Sequence, residues 1–325
     1  MSTDWHNAKL DPADYAMMEY AEKLSVLPSA IIEDDIEALR GHGFTDKEVL
    51  SVNLAAAYRN YIVRVADGLG VELAKDYAYP VEVLEAFGVN PAELKTTIYG
   101  DRQTALKDYK QQSSSLSHES GAQESTSGEI CWLGTAPDDS NNIVRAIDEA
   151  SPIENLAKAI AIRPDALRVT LQYGQLLGMG GSGLGPRLEA IIGLAVAATQ
   201  WSPYMGVHHA HALLGAGGTP EEVESLVQNP SKGTLGGGEL QVARYCEKLT
   251  RLPRAMARSD VDELREQGFG DRDILTIALS ASFENFLGCV ASGLGVKLED
   301  QGFDDAAVLP FKLTSGLQPE VAERA

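Results

Sequence analysis

Ala190-Ile-Ile-Gly-Leu-Ala-Val-Ala-Ala-Thr-Gln-Trp-Ser202-Pro-Tyr-Met205-Gly-Val-His-His209-Ala-His211-Ala-Leu-Leu214 is the stretch on which the fold turns. It reads as a long apolar helix, a break at Ser202-Pro203, and a second helix carrying three histidines. Proline is tolerated in a first helical turn and serine is a favoured N-cap, so the break and the restart have one local cause. On the second helix Ser202, Met205 and His209 share one face, while Tyr204, His208 and His211 share the adjacent one. A core histidine is the plain structural role for His209, and a solvated face is that role for His208 and His211. Two histidines at i, i+3 lack a third ligand, so no metal site is expected.

Helical text continues on both sides. Tyr15, Met18, Ala21 and Leu24 recur at helical spacing. Thr45 and Glu48 stand at capping-box spacing and open a helix running to about Gly68. The same text returns 225 positions later: Tyr20-Ala-Glu-Lys-Leu24 matches Tyr245-Cys-Glu-Lys-Leu249, Gly43-Phe44 matches Gly268-Phe269, and Gly68-Leu-Gly-Val71 matches Gly293-Leu-Gly-Val296. About 24 of 54 positions agree without a gap, so a three-helix unit is duplicated. Short helices are expected over 74–109. Residues 111–128 are polar and small, a linker composition that buries little apolar surface. Helices are predicted over Asn141–Glu149, Pro152–Ile162 and Asp165–Leu177, and the tail after Gly302 carries little pattern. No segment alternates as strands do, and the expected class is all-α.

Gly178-Met-Gly180-Gly-Ser-Gly183 satisfies a dinucleotide-binding spacing literally. A helix precedes it where that motif needs a strand, so an interhelical loop is the expectation. The 325 residues carry a net charge of −20, which repels nucleic-acid phosphates and anionic lipid. Three cysteines (Cys131, Cys246, Cys289), with no CxxC pair, support neither a disulfide framework nor a cysteine zinc site. The polar N-terminus has no apolar signal core, and the apolar run near 190–198 is too short to span a bilayer. A soluble, cytoplasmic chain without membrane or nucleic-acid partners is expected.

The run from Asn155 to Leu214, followed by Gly217-Gly-Thr-Pro-Glu-Glu-Val and the unit at 240–298, resembles the alkylhydroperoxidase D (AhpD)/carboxymuconolactone decarboxylase superfamily, especially its peroxidase-related branch. The resemblance implies a complete helical domain over 129–325, a linker over 110–128, and a duplicated half-domain over 1–109. It also implies a homo-oligomer. Redox members of the family carry a glutamate and, twelve residues on, a CxxCxxxH motif. Here those positions are Ala190, Ser202, Met205 and His209, with Glu189 one residue out of register. Only the histidine remains. A hydroxyl and a thioether cannot form a disulfide, so a two-cysteine peroxidase cycle is not expected at this site. The decarboxylase branch would need a carboxylate where Met205 stands. What this leaves is His209 as acid/base with Ser202, Tyr204 and Glu189 as catalytic partners, and Trp201, Met205 and His208 lining a pocket for a small organic substrate. No cofactor is called for. The expected activity is a lyase, decarboxylase or isomerase reaction. The alternatives are a silent ligand-binding or scaffolding paralogue and, third, residual alkyl hydroperoxide reduction.

Overall fold

A computed structural model describes residues 5–71, 128, 130–134, 153–300 and 302–313. The expected short helices over 74–109, the helix over 141–149 and all but the last residue of the linker lie outside these residues. Among them are twelve α-helices and no strand, so the chain is all-α. The helices are α1 (Pro12–Val26), α2 (Glu33–Gly41), α3 (Asp46–Leu69), α4 (Glu154–Ile160), α5 (Pro164–Leu177), α6 (Pro186–Gln200), α7 (Pro203–Gly215), α8 (Pro220–Gln228), α9 (Gly237–Arg251), α10 (Arg258–Glu266), α11 (Asp271–Gly293) and α12 (Asp305–Leu313).

Two compact units are present, one of residues 1–15 with 71–124 and one of 16–70 with 125–325. In the first, Trp5 stacks on His6 at 4.0 Å and tilts against Tyr15. The second unit carries everything that follows.

Local chemistry sets the helix ends. Thr45 Oγ1 accepts the Glu48 amide at 3.3 Å, and Glu48 returns by accepting the Thr45 amide at 2.8 Å, closing the box that starts α3. Gly70 ends that helix in the left-handed region at φ 63°. Thr219 and Glu222 repeat the device at α8. Helix α12 is the element that sequence patterning missed. Pro310 lies inside it, and a proline in a short run erases the usual helical signal.

Helix α11 is the axis of the second unit. It is buried almost all round, as a helix with apolar residues on every side must be. Its length and composition would suit a membrane crossing, but 83% of its apolar window is buried against other helices. One apolar cluster joins α11 to α1, α3, α4 and α5, and a second joins it to α6, α7, α8, α9 and α12. Both cores draw on α11, and Ala197, Tyr204 and Met205 carry α6 and α7 into the first core as well. The site lies where the second core meets α11.

Candidate functional site

Helix α6 ends on Trp201, the one described non-glycine residue at positive φ (56°). A bulky side chain in the left-handed region carries a cost of about 1–2 kcal/mol. The conformation lets the Ser202 amide reach back to the Ala197 carbonyl at 2.9 Å, and Pro203 then starts α7 in a new direction. The turn thereby sets which way each face of α7 points.

The two histidine faces part company. His209 Nε2 lies 2.7 Å from Glu284 Oε2, with the two side chains 13% and 6% exposed. An ionised carboxylate can only accept, so Nε2 donates, and in the neutral imidazole Nδ1 then carries the lone pair. The imidazole lies against the Cα of Gly193 on α6, where a Cβ would stand less than 3.0 Å from Cε1, Nδ1 and Cγ. Glycine at 193 is thus what makes room for the ring. Glu284 Oε1 sits by Gly178, where a Cβ would come within 2.9 Å of it. The pair is enclosed by α6, α7, α11 and the start of the 178–185 loop.

On the adjacent face, His208 Nε2 meets Glu299 Oε2 at 2.9 Å. Glu299 Oε1 accepts from Tyr204 Oη at 2.7 Å and from the Asn155 amide at 2.8 Å. Phe303 stands edge-on to His208 at 4.9 Å. Burial would raise the Glu299 carboxyl. The hydrogen bonds from His208, the Asn155 amide and Tyr204 outweigh it and bring the group down to about 2. The Tyr204 hydroxyl is pushed well up by burial and by the Glu299 charge, which keeps it a donor.

The remaining expected site residues lie apart from His209. Ser202 is 1% exposed at the N-cap of α7, but its side chain caps nothing. Its hydroxyl accepts from Ser292 Oγ at 3.5 Å. Ser292 is eight residues beyond Glu284 on α11, about 12 Å along the helix. Tyr204 and His208 belong to the Glu299 cluster. Glu189 holds the glycine loop: its carboxylate accepts the Gly180 amide at 2.8 Å, the Ser182 amide at 3.2 Å and the Ser182 hydroxyl. Trp201 packs on Phe311 of α12 at 5.8 Å, and Met205 is buried in the first core. The GxGxxG-like segment is a loop between α5 and α6.

Sequence reasoning missed Glu284 and Glu299. Glu284 had a legible signal, being the lone charged residue between Ile274 and Val296. A single charge in such a run needs a partner. Glu299 had none.

Among the described residues no cluster of three potential metal ligands occurs. All three thiols are free and buried. Burial pushes Cys131 and Cys289 up to about 11 and Cys246 higher still, away from the nucleophilic thiolate. A cavity of about 450 Å³ opens elsewhere, between Leu184–Leu188, Gly236–Glu239 and Phe269. There Arg187 joins three helices by pairing with Glu222 and Glu239, each at 2.7 Å.

What fold and site define together is an all-helical protein with two buried carboxylate–histidine pairs on adjacent faces of one helix. Two solved structures are similar to it. One is a peroxidase-related protein from Ralstonia eutropha JMP134 described as an alkylhydroperoxidase AhpD core. It is 22% identical with a TM-score of 0.47, over 53% of this chain and 94% of that one. The other, a peroxidase-related protein from Silicibacter sp. TM1040, is 25% identical with a TM-score of 0.49, over 55% of this chain and 96% of that one. No family model matches the chain, and no curated protein matches it.

Proposed function

We propose that this chain is an AhpD-like protein in which thiol redox chemistry has given way to histidine-centred proton transfer on a small organic substrate. The observation that carries the reading is the 2.7 Å bond between His209 Nε2 and Glu284 Oε2. It orients the imidazole, fixes its tautomer and leaves Nδ1 as the base, the arrangement a general acid/base needs. Glu284 supplies from α11 a carboxylate of the kind the family resemblance looked for at Ala190 on α6. With Nδ1 taking a proton from carbon, the imidazolium that forms is stabilised by the same carboxylate. This suits a lyase, decarboxylase or isomerase step on a carbon acid.

The test is turnover, or solvent deuterium incorporation, across a panel of small β-keto acids and enol-lactones. For a substrate that reacts, His209→Ala should lower kcat about 10²–10⁴-fold with an intact helical CD spectrum, and Glu284→Gln should lower it less. Unchanged turnover in His209→Ala would sink the reading.

A second reading has its own support. The His209 ring packs directly onto Gly193, and the 450 Å³ cavity lies at another place. On that reading the pair is a structural tie in a ligand-binding or scaffolding protein. His209→Ala would then cost stability and no catalysis, and a ligand would protect the residues around Arg187 from hydrogen exchange.

A further inference from the structure

The duplicated units meet each other in a way that only a two-fold arrangement produces. Tyr20 Oη donates to the Gly293 carbonyl at 2.8 Å, and Tyr245 Oη donates to the Gly68 carbonyl at 2.9 Å. Adding 225 to the tyrosine's number and subtracting 225 from the glycine's turns the first pair into the second. The missing side chains follow the same rule. A Cβ on Gly68 would meet Tyr245 Oη at 2.8 Å and Leu249 at 3.1 Å, while one on Gly293 would meet Tyr20 Oη and Leu24, both at 2.8 Å. Residue i touching j while j's counterpart touches i's counterpart is the signature of an isologous contact, normally made by two copies of one chain.

The units also repeat their internal bonds. Lys23 pairs with Asp35 and Lys248 with Asp260. Arg40 reaches Glu37 and Asp46, and Arg265 reaches Asp262 and Asp271. Asn60 donates to Ser25 Oγ and the Ala56 carbonyl, and Asn285 to Thr250 Oγ1 and the Ala281 carbonyl. Gly43 and Gly268 share φ values of 92° and 93°.

Two positions break the symmetry in informative ways. Arg64, at the place of Cys289, is buried and reaches across to the Thr250 carbonyl at 3.1 Å, adding a bond with no counterpart. Arg59, at the place of Glu284, is exposed, and among the described residues the half-repeat has no helix equivalent to α7.

We infer that residues 16–70 are a tethered second subunit: they occupy within the chain the two-fold face of α9 and α11 that another copy would otherwise fill, and they bring the contact without a second histidine site. The protein is a single-chain pseudo-dimer with one His209–Glu284 pair. A homo-oligomer of this chain must use a different face.

The experiment is to place a specific protease site between Gln111 and Gly128 of the full chain, cleave the folded protein, and follow the pieces by size-exclusion chromatography at micromolar concentration. The two fragments should co-elute at the mass of the uncut chain. Gly293→Ala sets a Cβ against Tyr20, Leu24 and Asn53 and should weaken their association about tenfold or more. Separation of the fragments without change in the helicity of the larger one would overturn the inference. So would uncut protein that self-associates and is dissociated by Tyr20→Phe or Tyr245→Phe. A larger fragment that loses its helicity once the smaller is stripped away by dilution supports it, because the α9–α11 face then needs its cover.

Discussion

Gly193→Ala is the sharpest probe of the site, because two effects of known size oppose each other there. In mid-helix an alanine gains about 1 kcal/mol over glycine. At this position, however, the new Cβ would stand less than 3.0 Å from three atoms of the His209 ring, where carbon pairs prefer about 3.5–4.0 Å. The ring cannot retreat freely, since Nε2 is held by Glu284. Overpacking of this kind costs about 1–3 kcal/mol, and expelling the ring leaves a buried carboxylate without its partner, worth about 3–5 kcal/mol. A Cβ this close leaves the ring no room, so its expulsion governs, and about 3–5 kcal/mol less the helical gain of about 1 gives an expected net loss of about 2–4 kcal/mol. Urea unfolding followed by far-UV CD measures it as a lower midpoint at unchanged slope. The discriminating arm repeats the change in a His209→Ala background, where the Cβ enters vacated space and Gly193→Ala should turn neutral or stabilising. A destabilisation of equal size in both backgrounds would refute the claim that glycine is there to seat the histidine.

The pseudo-two-fold contact predicts unequal costs for two equivalent changes. Tyr20→Phe strands both the Gly293 carbonyl and Asn53 Nδ2, which donates to the Tyr20 hydroxyl at 2.8 Å, and should cost about 2 kcal/mol. Tyr245→Phe strands only the Gly68 carbonyl and should cost about 1 kcal/mol, both read from urea midpoints; equal costs would remove Asn53 from the account. Glu299 predicts an acid limb. Its carboxyl falls from 4.5 to about 2 on folding, so its contribution is complete above pH 4.5 and is lost as pH drops toward 2. After discounting for solvent screening this amounts to about 2 kcal/mol, and Glu299→Gln should flatten the stability profile over that window. The same acid slope in the variant would assign the loss to other carboxylates.

Periodicity and capping made most of the helices legible. The α3 start at Thr45 and the α6–α7 break at Ser202-Pro203 were readable because their determinants lie within four residues of chain. The duplication was readable because it is a statement about text. Helix α12 was not, since Pro310 contradicts the local rule and packing of Phe311 against Gly206 and Trp201 overrides it. His209 was found from its place on a helix face. Its partner could not be, because Glu284 is 75 residues away, and the apolar turns around it say only that a charge there must be compensated.

By itself, then, the sequence determined the class of fold, the repeat, the helix on which the histidines lie and the absence of adjacent thiols in that helix. Those properties depend on spacing along the chain. Tertiary structure decided which carboxylate each histidine receives, that Ser202 turns to Ser292, and that Glu189 holds a loop. It also decided that the half-repeat closes against its own copy. Helix crossings bring together residues 75 to 273 positions apart, and the left-handed turn at Trp201 chooses the face that each histidine presents. A pattern of local spacings does not encode that rotation; the packing of α6, α7 and α11 does.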